Sequence, residues 1–182
     1  MSWAIHELDP VSERATFDAV VRLRLRCWAA QVPMELTPDD VVDPHDGFAR
    51  HWIAVAEEQV VGAARLTIHA AAQDVPEAVC LGEVFAQPPP TPIGFLSRLV
   101  VAPESRRGGV GRGLDQVRIR AAEEAGCRSL LALVFDVSGQ ARVAQLVSLG
   151  FEVRGQGRKD THPKFSVLSA PVVLERVIQS GT

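Results

Sequence analysis

Residues 99–114 carry the stretch that decides the fold, Leu-Val-Val-Ala-Pro-Glu-Ser-Arg-Arg-Gly-Gly-Val-Gly-Arg-Gly-Leu. An apolar run ends at Pro103, and closely spaced glycines (Gly109, Gly111 and Gly113) then open an amphipathic helix. The first turn of a helix leaves backbone N–H groups without intrahelical partners, and the helix dipole favours negative charge there. Because glycine lets a ligand approach the backbone closely, the stretch predicts a phosphate-binding loop. Positive charge is added beside it by Arg106, Arg107 and Arg112.

The spacing of these residues excludes two known kinds of phosphate-binding loop and fits a third. A P-loop ends in Gly-Lys-Ser/Thr, whereas this loop has Gly111-Arg112-Gly113. A dinucleotide-binding fingerprint that began at Gly109 would need glycine at its sixth position, where this chain has Leu114. The spacing that fits is Arg106-x-x-Gly109-x-Gly111.

That spacing resembles the acetyl-CoA signature of the GCN5-related N-acetyltransferases (the GNAT superfamily), Gln/Arg-x-x-Gly-x-Gly/Ala. The surroundings match too: a Val-x-Pro step precedes the signature at Val101-Ala102-Pro103, and a later helix ends in Gly150-Phe151. The specific match covers residues 95–151. The resemblance implies an α/β (α+β) fold with a mixed, mostly antiparallel sheet of six to seven strands and helices on both faces. The sheet would splay between strands 4 and 5, here Phe95–Val101 and Leu130–Phe135.

The resemblance also implies where acetyl-CoA, or another acyl-CoA, would bind. The pantetheine arm would lie in the notch between these two strands and pair with the backbone of Leu99, Val100 and Val101. Backbone amides would hold the pyrophosphate, and they come from Arg106, Arg107, Gly108, Gly109, Val110, Gly111 and Arg112. At the start of the next helix, Ser138 or Arg142 would touch the rest of CoA.

Hydrophobic patterning predicts the remaining elements. Apolar residues at helical spacing favour three helices, which are Glu13–Ala30 with Ser12 as N-cap, Gly109–Ala125 and Ser138–Leu149. Two apolar runs flank Glu57-Glu58-Gln59 and predict a hairpin of Trp52–Ala56 and Val60–Ile68. The final strands are expected at Phe151–Val153 and Phe165–Leu168, with Val172–Ile178 extending the last one.

Composition bounds the class of protein. A length of 182 residues favours one domain (1–182), and the formal net charge of −3 argues against a nucleic-acid partner. The longest charge-free stretch, Val84–Ser97, has fourteen residues with four prolines, which is too short and too broken to span a bilayer. Three widely spaced cysteines form neither a disulfide framework nor a zinc pattern, and five histidines lack metal spacing. We therefore expect a cytoplasmic protein with no metal site and no membrane segment.

Candidate catalytic groups are fewer. In much of the family the general acid is a Tyr on the helix before Gly-Phe; the matching position here is Leu146, and the chain contains no Tyr. Glu83 is the candidate general base, and Ser138 could help through its hydroxyl or a water, with helix capping as its rival role. Asp136 and Glu104 are further carboxylates, with capping and pairing with nearby arginines as rival roles.

Several charged residues lie within the predicted apolar strands or in the loop between them, and each needs a partner or solvent. Arg65 and Arg98 interrupt apolar strands, where a buried guanidinium needs a carboxylate or a ligand. Arg98 would bind an acidic acceptor or pair with Glu83. The Pro-rich stretch Pro33–Phe48 contains an acidic cluster that is expected to be solvated and to gate the acceptor; its members are Asp39, Asp40, Asp43, His45 and Asp46.

These residues support several functions. The leading one is an N-acetyltransferase that moves an acetyl group from acetyl-CoA to a primary amine of a small molecule or a protein. The stretches Arg24-Leu-Arg-Cys-Trp28 and Ser97-Arg98-Leu-Val-Val101 also resemble acyl-homoserine-lactone and N-acyl amino acid synthases, which take longer acyl chains from acyl carrier protein. The missing Tyr motivates a third reading, a non-catalytic acyl-CoA sensor, and a purely structural glycine turn is a fourth. An edge strand at Val172–Ile178 could pair two copies into a homodimer.

Overall fold

The computed structural model describes residues 2–135, 139–160, 162, 164–165 and 168–178. Its strands are β1 (Ala4–Leu8), β2 (Arg50–Ala56), β3 (Gln59–His69), β4 (Ile93–Val101), β5 (Ser129–Val134), β6 (Glu152–Gln156) and β7 (Val172–Val177). Its helices are α1 (Arg14–Ala29), the single turn α2 (Pro38–Val41), α3 (Val110–Glu124) and α4 (Gly139–Val147). Within the described ranges, no helix has both the length and the apolar character that crossing a membrane requires.

The seven strands form one mixed sheet in the order β1-β2-β3-β4-β5-β7-β6. Strand β1 pairs antiparallel with β2, β2 with β3, β5 with β7, and β6 with β7. Strands β4 and β5 are parallel, which requires a crossover, and α3 supplies it. The pairing joins Ile93–Leu96 to Ser129–Ala132, so β4 continues for five residues beyond it. The predicted mixed, mostly antiparallel sheet is confirmed.

The chain divides into two compact units, and the first comprises residues 1–67 and 97–118. Its helix α1 buries one apolar stripe at helical spacing, made of Phe17, Val20, Leu23 and Cys27. The start of α3 packs closely on β3, because a Cβ added at Gly62 would lie only 2.7 Å from Val110 Cγ1. Glycine at this strand position therefore lets the first turn of α3 approach the sheet.

The second unit comprises residues 68–96 and 119–182. Its buried apolar core joins strand residues to two residues of the irregular segment between β3 and β4; the six are Val75, Leu81, Ile93, Phe95, Leu131 and Val173. Two cysteines, Cys80 and Cys127, are also buried in this unit, as Cys27 is in the first. The prediction of one domain over 1–182 stays a prediction.

Two expectations about local structure are wrong. The N-cap of α1 is Glu13, and the Ser12 hydroxyl donates instead to Asp9 at 2.7 Å, within the turn before the helix. The predicted strand Phe165–Leu168 is not formed at its described ends, because the Phe165 amide donates to His162 O and the Leu168 amide to Phe165 O. These are turn hydrogen bonds, and the last strand begins only at Val172.

Candidate active site

Residues 106–112, called the glycine loop below, comprise the turn that leads into α3 and the first three residues of that helix. A short 3-10 turn, Pro103–Ser105, precedes it, and the amide of Arg106 donates to Pro103 O at 3.3 Å. Arg107 and Gly109 both adopt left-handed backbone conformations, with φ of 64° and 83°. Residues 106–109 are solvent-exposed, whereas Val110 is buried beneath them. Residues 106–109 thus form an exposed turn, and Val110 anchors it in the core.

The N–H groups at the start of α3 precede the helical hydrogen-bond ladder. The first i→i−4 bond in this region runs from Gly113 N to Gly109 O at 2.9 Å. The N–H groups of residues 109–112 lie before that bond, at the positive end of the helix dipole. An exposed turn with this polarity can bind a phosphate through its backbone.

The end of β4 lies directly before the loop. Val100 is buried, while Leu99 and Val101 are partly exposed. The carbonyl oxygen of Val101 accepts a hydrogen bond from Arg106 Nε at 3.2 Å, and the Cys27 thiol lies 3.6 Å from the same oxygen. The Arg106 side chain therefore folds back onto β4. We expect a ligand of the loop to contact the backbone more than this guanidinium.

Five charged side chains form a second feature of the same unit, which we call the ionic cluster: Arg24, Asp43, Asp46, Arg65 and Arg98. Arg24 donates to Asp46 through both terminal nitrogens, at 2.9 and 3.0 Å. Asp43 accepts from Arg65 at 2.7 Å and from Arg98 at 2.5 Å. The Arg98 guanidinium also lies 5.2 Å from the ring centroid of Trp28.

The ionic cluster corrects two expectations. The acidic cluster is not simply solvated, because the Asp46 side chain is only 4% exposed and that of Asp43 20%. Arg98 pairs with Asp43, not with Glu83. The reason is long-range: the 3-10 turn Pro44–Gly47 brings both aspartates against arginines that come from a helix and two strands.

The protonation states follow from this packing. Burial alone would raise the pKa of the Asp43 carboxyl, but Arg65 and Arg98 hold it well below its ordinary value. Burial acts in the same direction on the pKa of Asp46, which Arg24 and Arg65 nevertheless lower. Burial lowers the pKa of the neighbouring His51 imidazole. Both carboxylates are therefore ionised at neutral pH and His51 is uncharged.

A buried arginine on α3 supports the irregular part of β4. Arg98 adopts a left-handed conformation (φ 55°) in mid-strand. Arg118 is fully buried, and its Nη1 donates at 3.0 Å to the carbonyl oxygens of both Arg65 and Ser97. Asp115, also fully buried, accepts from Arg118 Nη2. The carbonyl of Ser97, the residue before Arg98, and the carbonyl of Arg65 in β3 thus accept from one guanidinium. Sequence reasoning missed this pair, because an arginine inside an amphipathic helix gives no sign of burial.

The predicted catalytic residues are less clearly organised. Glu83 is highly exposed and accepts from Arg158 Nη2 at 2.5 Å. Ser138 and Asp136 lie outside the described residues. Glu104 pairs with Arg26 of α1 at 2.9 Å. Its own backbone N–H and Arg26 lower the pKa of its carboxyl, and the neighbouring Arg106 also helps to lower it. Leu146, at the position of the family's Tyr, is fully buried.

Among the residues that the structure describes, no group of three or more His, Cys, Asp or Glu side chains could hold a metal ion. The glycine loop, in contrast, matches what an acyl-CoA would need: exposed backbone N–H groups at a helix start and a left-handed glycine at the turn.

Comparison with known proteins agrees with this architecture. The acetyltransferase (GNAT) family model matches residues 17–151, so the chain belongs to that family. A search of curated proteins found no significant match. Solved structures with the same fold include the Escherichia coli ribosomal-protein-S18-alanine N-acetyltransferase, at 16% identity and TM-score 0.65, covering 100% of this chain and 97% of that one.

Two further structures share the fold. A GCN5-related N-acetyltransferase from Kribbella flavida is 23% identical with TM-score 0.64, and the match covers 96% of this chain and 98% of that one. A chain of the NatC complex bound to Gag peptide and CoA is 13% identical with TM-score 0.65, covering 98% and 100%. At these identities the likeness shows the fold alone.

Proposed function

We propose that this protein is an N-acetyltransferase that uses acetyl-CoA as donor and a primary amine as acceptor. The observation that carries the proposal is the glycine loop: an exposed turn with left-handed Gly109, at the start of α3, in a chain of the GNAT family. A solved chain with the same fold belongs to a complex that binds CoA. The acceptor is a small-molecule or protein amine, as the E. coli neighbour's name illustrates for a protein alanine.

Each part of the loop has a proposed role. Backbone N–H groups of residues 107–112 hold the pyrophosphate, since the Arg106 amide already donates to Pro103 O, and the positive end of the α3 dipole favours its charge. The backbone of Leu99, Val100 and Val101 pairs with the pantetheine arm. Because the Val101 carbonyl already accepts from Arg106, the Val101 N–H and the other backbone groups of this stretch are the better partners.

The reaction needs little proton chemistry from the protein. Bound acetyl-CoA supplies a thioester carbon to which a neutral amine can add, forming an amide while the C–S bond breaks and a thiolate leaves. The attacking nitrogen must lose one proton, and Glu83 is our candidate acceptor for it, directly or through water. Ser138 is our candidate for assisting the thiolate. Leu146 cannot serve as an acid, since it is apolar and fully buried.

Donor binding is tested by thermal unfolding with acetyl-CoA. A ligand at 100 times its Kd should stabilise the protein by about 2.7 kcal/mol, which is roughly 5–10 °C in Tm. Gly109→Glu should abolish the shift. Gly126→Glu is the matched control, because Gly126 has a similar φ of 76° and nothing within 4 Å of a Cβ. No shift in the wild-type protein with acetyl-CoA or CoA would refute the proposal.

The role of Glu83 is tested by kinetics with an amine panel, following release of free thiol. A general base predicts that Glu83→Gln lowers kcat with every amine that the wild-type protein acetylates. Arg158→Gln is the control, since it breaks the same exposed ion pair without removing the carboxylate. Equal small effects of the two changes would exclude Glu83 as the base.

A second candidate function is transfer of longer acyl chains. The observation that favours it is that the two stretches resembling acyl-homoserine-lactone and N-acyl amino acid synthases lie together: Arg98 stacks on Trp28, and Arg24 lies in the same ionic cluster. Comparison of acetyl-CoA, octanoyl-CoA and octanoyl-acyl carrier protein as donors separates the two. Donor binding without turnover of any amine would instead favour the acyl-CoA sensor.

A further inference from the structure

Trp3 lies at the start of the chain, one residue before β1, yet it contacts the glycine loop. Its indole Nε1 donates to the carbonyl oxygen of Gly108 at 3.0 Å, across 105 positions of sequence. Pairing of β1 with β2 fixes the chain at Ala4 and so delivers the ring to this place. All of these residues belong to the first compact unit.

The ring of Trp3 also explains a glycine that the phosphate signature does not require. A Cβ added at Gly113 would lie 2.8 Å from Trp3 Cη2, closer than real side chains pack, and 3.0 Å from Ile5 Cδ1, which is a tight contact. At Gly109 the nearest atom to such a Cβ is Trp3 Cζ2, at 3.7 Å. The indole therefore covers the loop and the first turn of α3 from outside, and Gly113 is small because the ring occupies the space.

The hydrogen bond acts on one peptide group in particular. The C=O of Gly108 and the N–H of Gly109 belong to the same planar trans peptide, so they point in opposite directions. Fixing the C=O toward Trp3 fixes the N–H of Gly109 toward the other side. A hydrogen bond accepted by the carbonyl of a peptide group also polarises the N–H of the same peptide, which makes that N–H a stronger donor.

We propose that Trp3 is a positioning residue for the pyrophosphate of acyl-CoA, acting through the Gly108–Gly109 peptide. The inference rests on the proposed function, because it assumes that the loop holds this group. It adds a residue outside the signature, supplied by a different part of the chain. The indole N–H sets the direction of one donor, and the ring keeps the left-handed turn closed.

The test separates the N–H from the ring. Trp3→Phe keeps most of the ring contact and removes the donor. We expect loss of this one hydrogen bond to raise the Kd of CoA about threefold to tenfold, as measured by calorimetry. The Kd of pantetheine, which has no pyrophosphate, should not change. Trp52→Phe is the matched control: Trp52 is 5% exposed in β2, and the change should leave the Kd of CoA as it is.

The packing is tested by a double-mutant cycle. Gly113→Ala should displace the ring and raise the Kd of CoA to a similar extent. In Trp3→Ala the ring is gone and only the contact with Ile5 Cδ1 remains, so adding Gly113→Ala should cause a smaller loss than it does in the wild-type protein. Additive losses would contradict the inference, as would equal weakening of CoA and pantetheine by Trp3→Phe, or no weakening of CoA. If the wild-type protein does not bind CoA, the proposed function itself is wrong and this inference falls with it.

Discussion

The glycine loop and the ionic cluster lie in the same compact unit and are built in opposite ways. The loop is exposed, presents backbone groups and takes its shape from left-handed Arg107 and Gly109. The cluster consists of side chains, and Arg24 and Arg65 in it are fully buried. Because an exposed backbone surface carries little of the folding energy, we expect changes in the loop to alter affinity. Because a buried charge without its partner is strongly unfavourable, we expect changes in the cluster to alter stability.

The largest effect should come from breaking the cluster. Asp46→Asn removes the charge that faces Arg24, and loss of one partner of a buried pair destabilises by about 3–5 kcal/mol. Urea unfolding measures it, and the Kd of CoA for the folded fraction should stay unchanged. Glu7→Gln is the control: its pair with Arg50 is half-exposed, and such pairs contribute about 0.2–1 kcal/mol. Equal effects of the two changes would show that the cluster is not the sensitive region.

The next prediction concerns Leu146, a buried apolar residue, so it tests the stability of the core without changing a charge. Leu146→Tyr restores the side chain that the GNAT resemblance leads one to expect, but the site is fully enclosed. Overpacking should destabilise the protein by about 1–3 kcal/mol, with no gain in kcat. Unfolding and turnover measured on the same preparation check this, and a rise in kcat would show that the ring reaches the reacting thiolate.

A substitution in the glycine loop should weaken CoA binding, which the substitution in the ionic cluster should leave unchanged. Gly109→Ala places a side chain at φ 83°, which costs about 1–2 kcal/mol of backbone strain, and the displaced loop should bind CoA at least tenfold more weakly, or about 1.4 kcal/mol. Gly126→Ala, at φ 76° outside the loop, should lose similar stability and no affinity. Calorimetry with CoA decides, and an unchanged Kd in Gly109→Ala would break the comparison.

The smallest effect is a pH dependence next to the cluster. Burial lowers the pKa of His51 in the folded state, so the unfolded chain binds the extra proton first as the pH falls. Stability should therefore fall below about pH 6.5, by at most about 1.4 kcal/mol per pH unit. His51→Gln should flatten this slope when unfolding is followed between pH 7 and 5. A slope that persists would assign the proton to another group.

The difference between the two regions also explains what could be predicted from sequence. The loop is local: Arg106, Gly109 and Gly111 lie within six residues, so their spacing indicated both the turn and the start of α3. The parallel pair β4–β5 followed from strand, helix and strand in succession. The cluster joins residues 24, 43, 46, 65 and 98, and no local pattern shows that these charges meet.

Two contacts of the candidate site could not be predicted from the sequence for the same reason. Trp3 and Arg118 act on the loop and on β4 through contacts 105 and 21 or more positions away in sequence. The Tyr position was inferred by counting back from Gly150, and counting cannot say that Leu146 faces a closed core. Spacing predicts a neighbour along the chain, whereas these contacts depend on how the sheet assembles.

The buried cysteines have a practical consequence for enzymology. Burial raises the pKa of Cys27 and of Cys127, and it raises the pKa of Cys80 to about 12. Since only thiolates react quickly with disulfide dyes, the native protein should contribute almost no background colour in an assay that detects released CoA. Unfolding exposes all three thiols. The same reagent therefore reports turnover while the protein is folded and counts unfolded molecules once it is not.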